Sequence, residues 1–235
     1  MLSIPVYVTE NHSCGYLEGN LARSIFIHPS VPMDTGLYSG LIDKGFRRSG
    51  NDVYAPHCPG CQACIAVRLP VEQFQMSRAQ IRCWKKNQAV IARIKPAEFD
   101  PVHYSLYLKY QQSRHPGSSM ADSSPEEYIR FLGSDWCRTH FVEFWLQGTL
   151  MAVAVVDELE QGVSAVYTFF DPDYAQYSPG TWAVLWQIEY AVQEGLDYVY
   201  LGYWIKACRK MAYKNNFKPL EGFIDDEWVS IENAI

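Results

Sequence analysis

The stretch that most restricts the fold runs from 163 to 217, VSAVYTFFDPDYAQYSPGTWAVLWQIEYAVQEGLDYVYLGYWIKACRKMAYKNNF. VSAVYTFF is rich in β-branched and aromatic residues and is interrupted by DP, which predicts a strand ending near Phe170 with Asp171 just past it. After SPG, Thr181 is a cap candidate for a helix whose Val184, Leu185, Ile188, Ala191 and Val192 recur at helical spacing, and Gly195 stops it. A second strand, Tyr198 to Trp204, follows at once and leads into a basic helical segment carrying Lys206, Arg209, Lys210 and Lys214. Strand, crossover helix and strand make one α/β unit, and open sheets of that kind bind ligands beyond their strand ends.

A chain of 235 residues, 48% hydrophobic, can bury a real core in one large domain or two small ones, and two tightly coupled domains are expected. No run approaches the roughly 18 to 20 apolar residues that span a bilayer, and the start lacks a basic-then-apolar secretory pattern, so a cytoplasmic protein without a membrane partner is expected. The seven cysteines are odd in number and argue against a disulfide scaffold. The net charge of −6 hides an uneven distribution: residues 44–95 hold ten Lys or Arg against Asp52 and Glu72. An acidic chain with one concentrated basic segment can still present an anion-binding face, because screening favours the local patch over the distant total. A solvated basic surface is the plain alternative.

That basic segment also contains the cysteine cluster. Cys58, Cys61 and Cys64 follow CxxCxxC spacing, with Cys14 or His57 available as a fourth group. Thiolates at this spacing suit zinc or iron, including an iron–sulfur cluster, and a redox-sensitive or merely packed cysteine turn is the other reading. Arg47 and Arg48 stand between glycines in GFRRSG, which leaves the backbone free to approach a ligand. Ile65 to Leu69 reads as a strand, SRAQIRCWKKN as a basic linker or edge bearing Arg78, Arg82, Lys85 and Lys86, and VIARIKP as another strand.

From residue 99 the pattern changes. HYSLYLKYQQSRH puts Tyr104, Tyr107, Leu108 and Gln111 on one helical face, and SPEEYIRFLGS is a second helix with Ser124 as cap and Pro125 at its first position. Residues 138–170 read as a three-strand antiparallel meander with QG and EQG in its turns. Helix, helix, three strands, loop, helix, strand, helix is an order similar to the GCN5-related (GNAT) acyltransferases. The fold class expected is therefore α+β: a GNAT-like C-terminal domain, 97–235, with a smaller mixed, Cys-containing N-terminal domain, 1–96, packed against it.

CGYL…AR, GFRRSG, YAPHCPGCQACIAVRLPV, the YQQSRH helix, YTFFDP and YLGYWI…CRKMAYKNNFKP together resemble the aspartate/glutamate leucyltransferases, the bacterial branch of the aminoacyl-tRNA–protein transferases, across nearly the whole chain. The resemblance implies transfer of leucine from leucyl-tRNA to proteins beginning with Asp or Glu, which marks them for degradation. The chain departs from the pattern at Leu17, Glu18, Gly19 and Asn20, where the bacterial sequences usually read LPG and then a basic or polar residue; eukaryotic relatives carry a second cysteine where Leu17 stands, which weakens any transfer of their cluster binding.

The ester donor is already activated, so no cofactor is required. An α-amine of pKa about 7.7 to 8.0 needs only a modest base, and Asp171 is a candidate for it, with Tyr167 or Thr168 holding neighbouring groups; Asp171 could equally just open the DPD turn. Recognition of an acidic first residue calls for cations, for which Arg47, Arg48, Arg78, Arg114 and His115 are candidates. Arg47 and Arg48 suit a phosphate as well, and Arg114 and His115 also suit the end of a helix dipole. Lys206, Arg209, Lys210 and Lys214 are candidates for tRNA phosphates, Trp204 or Tyr203 for stacking on its unpaired end, and Leu185, Trp182 or Tyr200 for a leucyl pocket. Arginine transfer, a cysteine-metal or redox-sensing module without catalysis, and acetyl-coenzyme A acylation are the rival readings. DYAQYSPGT, with one glycine and a proline, serves pyrophosphate poorly. The oligomeric state stays open.

Overall fold

Side-chain caps set where the helices begin. In α1 (Thr35–Ile42) the Asp34 carboxylate accepts from the Leu37 amide at 2.7 Å. Helix α2 (Arg78–Lys86) starts at a capping box formed by Ser77 and Gln80. The segment read as a basic linker is thus a helix, and S-x-x-Q was its signal. Asp100 caps α3 (Pro101–Arg114), and Ser124 with Glu127 caps α4 (Pro125–Leu132), both with proline in the first turn. Helix α5 (Pro179–Gln193) begins at Ser178, in the left-handed region at φ 53°, rather than at Thr181. A one-turn helix, α6 (Arg209–Ala212), and a 3-10 turn, Tyr213–Asn216, follow the strand that ends at Trp204.

The computed structural model describes residues 4–117 and 119–234. Its strands are β1 (Val6–Val8), β2 (His12–Ser13), β3 (Leu21–Ala22), β4 (Ser24–Ile27), β5 (Arg47–Ser49), β6 (Asp52–Pro56), β7 (Ile65–Pro70), β8 (Ile91–Pro96), β9 (Arg138–Leu146), β10 (Thr149–Glu158), β11 (Gly162–Phe170), β12 (Tyr198–Trp204), β13 (Glu221–Ile224) and β14 (Glu227–Ser230). Four form a small sheet in the order β1-β4-β6-β5, and eight form a large one in the order β14-β13-β7-β12-β11-β10-β9-β8. The architecture is a mixed α/β fold on this large sheet. Strands β7 and β8 precede residue 97, so the expected division at 96/97 runs through that sheet.

Strand alternation builds two cores. Ala152 and Ala154 of β10, with Val142 and Phe144 of β9, face Leu185, Ile188 and Ala191 of α5; Val153 and Val155, with Phe141 and Phe169, face Tyr107, Tyr128 and Leu132 of α3 and α4. Both faces being covered, β10 reads as an unbroken apolar run. Val192, expected on the buried face of α5, is half exposed.

Gly50 corrects another expectation. It lies at φ +60°, and a Cβ there would stand 2.2 Å from the Arg130 carbonyl oxygen. The glycine admits the close approach of α4, whose Phe131 carbonyl accepts from the Gly50 amide at 2.8 Å, and leaves no room for a ligand.

Candidate active site

Strands β11 and β12 run parallel but pair only from Gly162–Ser164 to Tyr198–Tyr200. Beyond that point β11 stays hydrogen-bonded to β10 as far as Phe170, while β12 follows β7 as far as Trp204, with a bulge between Tyr200 and Gly202. The two strands part, and a sheet opened in this way leaves backbone polar groups without a strand partner inside a wedge. Residues 165–168 of β11 are only half-buried there, whereas 162–164 and 169–170 are buried.

The far end of β11 gathers cations. Arg114 stacks on the Phe170 ring at 5.6 Å, and His115 meets Tyr110 at 6.1 Å. Burial pushes the His115 imidazole below its ordinary range, and the charges of Lys210 and Arg114 push it the same way. The structure therefore brings Arg114, the last residue of α3, and His115, which follows it, together with Lys210 of α6, residues expected for two different partners.

Asp171 sits past the strand end as expected, but its carboxylate is occupied. It accepts from Lys109 Nζ at 2.6 Å and from the Asp173 amide at 3.0 Å, capping the 3-10 turn Pro172–Tyr177. Tyr167 receives a hydrogen bond from Gln111 Nε2 at 2.8 Å and packs in the core beneath α3, and burial raises its hydroxyl well above the ordinary range. Thr168 is half-buried and points to the opposite face, so Tyr167 and Thr168 do not flank Asp171 as a pair.

Several expected contacts are structural. Arg48 forms a bidentate pair with Asp157, both side chains fully buried. Arg47 lies between the Tyr200 and Tyr203 rings, at 5.7 and 5.6 Å, and donates to the Ile42 and Phe46 carbonyls. Both arginines are buried and engaged within the fold, so neither stands open to a substrate carboxylate or a phosphate. Trp204 is buried in the main core and offers no stacking face, whereas Tyr203 is half-buried, its hydroxyl donating to Gly45 O at 2.8 Å and its ring facing the Arg47 guanidinium. Leu185, Trp182 and Tyr200 are buried too, Trp182 against Trp84 and Tyr200 on Asp43. Lys214, expected on the tRNA-facing surface with the other bases, is buried instead, with its Nζ on the Tyr203 carbonyl.

Lys206, Arg209 and Lys210 remain exposed, as do Arg78, Arg82, Lys85 and Lys86 on α2. Gln80 Nε2 donates to the Asn216 carbonyl at 3.0 Å and ties α2 to the turn that follows α6, so the two basic groups border one another.

Cys14 joins the CxxCxxC cluster. The Cys64 thiol is pushed up to about 11 by burial and by the neighbouring Cys58, Cys14 and Cys61 thiols. The amides of Tyr16 and Leu17 point at Cys14 Sγ at 3.5 and 3.4 Å, and Asn20 Nδ2 points at Cys61 Sγ at 3.8 Å. His57 is exposed. Among the described residues no three of these sulfurs lie within 4.8 Å of one another. Tetrahedral zinc sets its sulfurs about 3.8 Å apart, from Zn–S bonds near 2.3 Å, so these thiols would have to draw together to hold one. Burial raises the Tyr16 phenol, and the Cys64, Cys208 and Cys14 thiols push it the same way; Tyr16 in turn adds a small upward push to Tyr167, which brings this loop towards β11. Tyr16 carries no sequence signal of this placement, and Gln111, placed by its spacing on a helical face, gains its Tyr167 partner only from the tertiary fold.

Two family profiles match the chain: "Arginine-tRNA-protein transferase, N terminus" over residues 12–82 and "Arginine-tRNA-protein transferase, C terminus" over residues 102–224. Proteins named aspartate/glutamate leucyltransferase resemble it along its length. That of Alkalilimnicola ehrlichii is 46% identical, covering 97% of this chain and 96% of its own. That of Chromobacterium violaceum is 47% identical, covering 96% and 93%, and that of Pseudomonas aeruginosa is 46% identical, covering 96% of each. Among solved structures, L-PGS from Bacillus licheniformis overlays with a TM-score of 0.44 at 9% identity over 61% of this chain and 46% of that chain, too distant to bear on function.

Proposed function

We propose, from the premise that this chain belongs to the family of the arginine-tRNA-protein transferases and aspartate/glutamate leucyltransferases, that it transfers leucine from leucyl-tRNA to the α-amine of proteins beginning with Asp or Glu. The observation that carries the site assignment is the convergence of Arg114, His115 and Lys210 at the open end of β11. Charge-assisted hydrogen bonds of about 1.5 to 3 kcal/mol each would hold an acidic first side chain there and reject its amide. The exposed bases of α2, Arg78, Arg82 and Lys85, with Lys206 before α6 and Arg209 at its start, take the phosphates of the acceptor stem in this reading.

The meander β9–β10–β11, the crossover helix α5 and the diverging parallel strand β12 support a GNAT-like acyltransferase core, with the acyl ester lying in the wedge. An ester needs no further activation, so the reaction calls on positioning and one proton carrier rather than on a metal. Leucine on the acceptor would act as a degradation signal of the N-end rule type. A tRNA donor places the activity in the cytoplasm, and among the described residues no helix is long and apolar enough to cross a membrane.

The test combines leucyl- and arginyl-tRNA with peptides that begin with Asp, Glu, Asn, Gln or Ala. Leucine should pass to the first two alone. Arginine transfer without leucine transfer would favour the other donor named in the family profiles, and transfer to Asn or Gln at equal rates would remove the cationic group from acceptor recognition.

A further inference from the structure

Lys214 belongs to the turn Tyr213–Asn216 and is 6% exposed. Its Nζ donates to the carbonyl of Tyr203, a residue of β12 beyond the point where that strand parts from β11. Gly202, at φ +79°, lies beside it: a Cβ at 202 would stand 3.5 Å from Nζ, so the absent side chain keeps the space next to the amine clear. Among the described residues no carboxylate lies within 4.0 Å of Nζ. A lysine whose only role was packing would be better replaced by methionine, because a buried ammonium without a counter-charge is costly.

We propose that Lys214 is the catalytic proton carrier of aminoacyl transfer, its Nζ taking a proton from the attacking α-amine and handing it to the ribose oxygen as the ester breaks. The inference rests on the transferase reading above. The neutral α-amine attacks the leucyl carbonyl carbon; a C–N bond forms and the C–O bond to the ribose breaks. Nitrogen sheds one proton and the departing oxygen gains one, so a neutral amine that accepts the first and delivers the second ends unchanged. General acid–base catalysis works best when the carrier titrates near the working pH. Burial and then the Arg47 guanidinium lower the Lys214 ammonium to about 7, against the Cys208 and Cys64 thiols, which push it up. The ring centroid of Tyr213, whose phenol also titrates, lies 6.0 Å from Nζ, and Tyr203 meets Nζ through its carbonyl.

The experiment follows single-turnover transfer of leucine to an Asp-initiated peptide by the full-length protein, beside leucyl-tRNA affinity, for the parent, Lys214→Met and Lys214→Arg. Lys214→Met should lose about 10²- to 10⁴-fold in rate at saturation, the span of general acid–base catalysis, with tRNA affinity and peptide KM within two-fold of the parent. Lys214→Arg keeps the stem and the charge but cannot release its proton, so it should be equally slow; it also decides the matter if the methionine variant fails to fold. Full rate in the arginine variant would make the group a fixed cation and overturn the proposal, as would an unchanged rate in Lys214→Met or a defect confined to tRNA affinity. A parent protein that transfers no leucine at all would overturn the transferase reading and the proposal with it, whereas a normal parent with an equally fast Lys214→Met overturns the proposal alone.

Discussion

The guanidinium of Arg48 and the carboxylate of Asp157 meet through two parallel hydrogen bonds, each 2.6 Å, with both side chains fully buried. The pair joins β5 of the small sheet to β10 of the large one, and the remaining Arg48 hydrogens go to the carbonyls of Gly50, Leu132 and Gly133 and to Thr139. Removing one partner leaves a buried charge unmatched. Arg48→Ala or Asp157→Asn should therefore cost about 3 to 5 kcal/mol in denaturant unfolding, and the paired replacement Arg48→Met with Asp157→Leu clearly less. An Arg48→Ala protein as stable as the parent but weak toward Asp-initiated peptides would return Arg48 to the substrate.

The exposed face of α2 gives a prediction in salt. Arg82 and Lys85 have no partners among the described hydrogen bonds, whereas Lys86 donates to the Gln176 carbonyl at 2.7 Å and lies over the Tyr177 ring. Arg82→Ala and Lys85→Ala should each flatten the log–log dependence of leucyl-tRNA affinity on salt by about 0.7 to 0.9, the loss of one phosphate contact, and Lys86→Ala should flatten it less. Slopes equal to the parent's would turn α2 away from the tRNA.

How much of this was legible beforehand depends on how local each determinant is. Strand β12 has the limits its aromatic and β-branched run predicted, because both ends are marked by neighbouring residues. Helix α2 was legible in Ser77 and Gln80 yet hidden behind a reading of its charges. Arg48 was not legible as a core residue, since its partner lies 109 positions away. Lys214 looks in sequence like Lys206 and Lys210, and only the Tyr203 carbonyl and the surrounding burial set it apart. Cys14 stands between these extremes: its chemistry was visible, and the fold supplied its proximity to Cys64.

The thiol group gives the third prediction. Because an ester needs no Lewis acid, protein freed of metal by chelation should keep its transfer rate within about two-fold, a change of under roughly 0.5 kcal/mol in the barrier. Alkylation of Cys14 is expected to be the more damaging treatment, since it would displace the loop that carries Tyr16 beside the wedge. Loss of transfer on chelation, restored by zinc or ferrous iron, would give the four thiols a metal that the reaction depends on.

The last prediction concerns stability and pH. In the unfolded chain a lysine holds its proton up to about 10.4, whereas burial lowers folded Lys214 to about 7. Below pH 7 both states are protonated and the folded state bears the full cost of a buried ammonium. Between about 7 and 10.4 the unfolded chain binds more protons than the folded one, so stability rises with pH, by up to about 1.4 kcal/mol per unit for this one site. Lys214→Met removes the titration and the cost together. Unfolding of both proteins at pH 7 and pH 9 isolates the term: the variant should be the more stable at pH 7, and the gap should narrow by pH 9. A gap that stays constant would mean that Lys214 keeps an ordinary affinity for its proton. If the gap narrows while the variant transfers leucine slowly, the residue weakens the fold at the same atom with which it moves the proton.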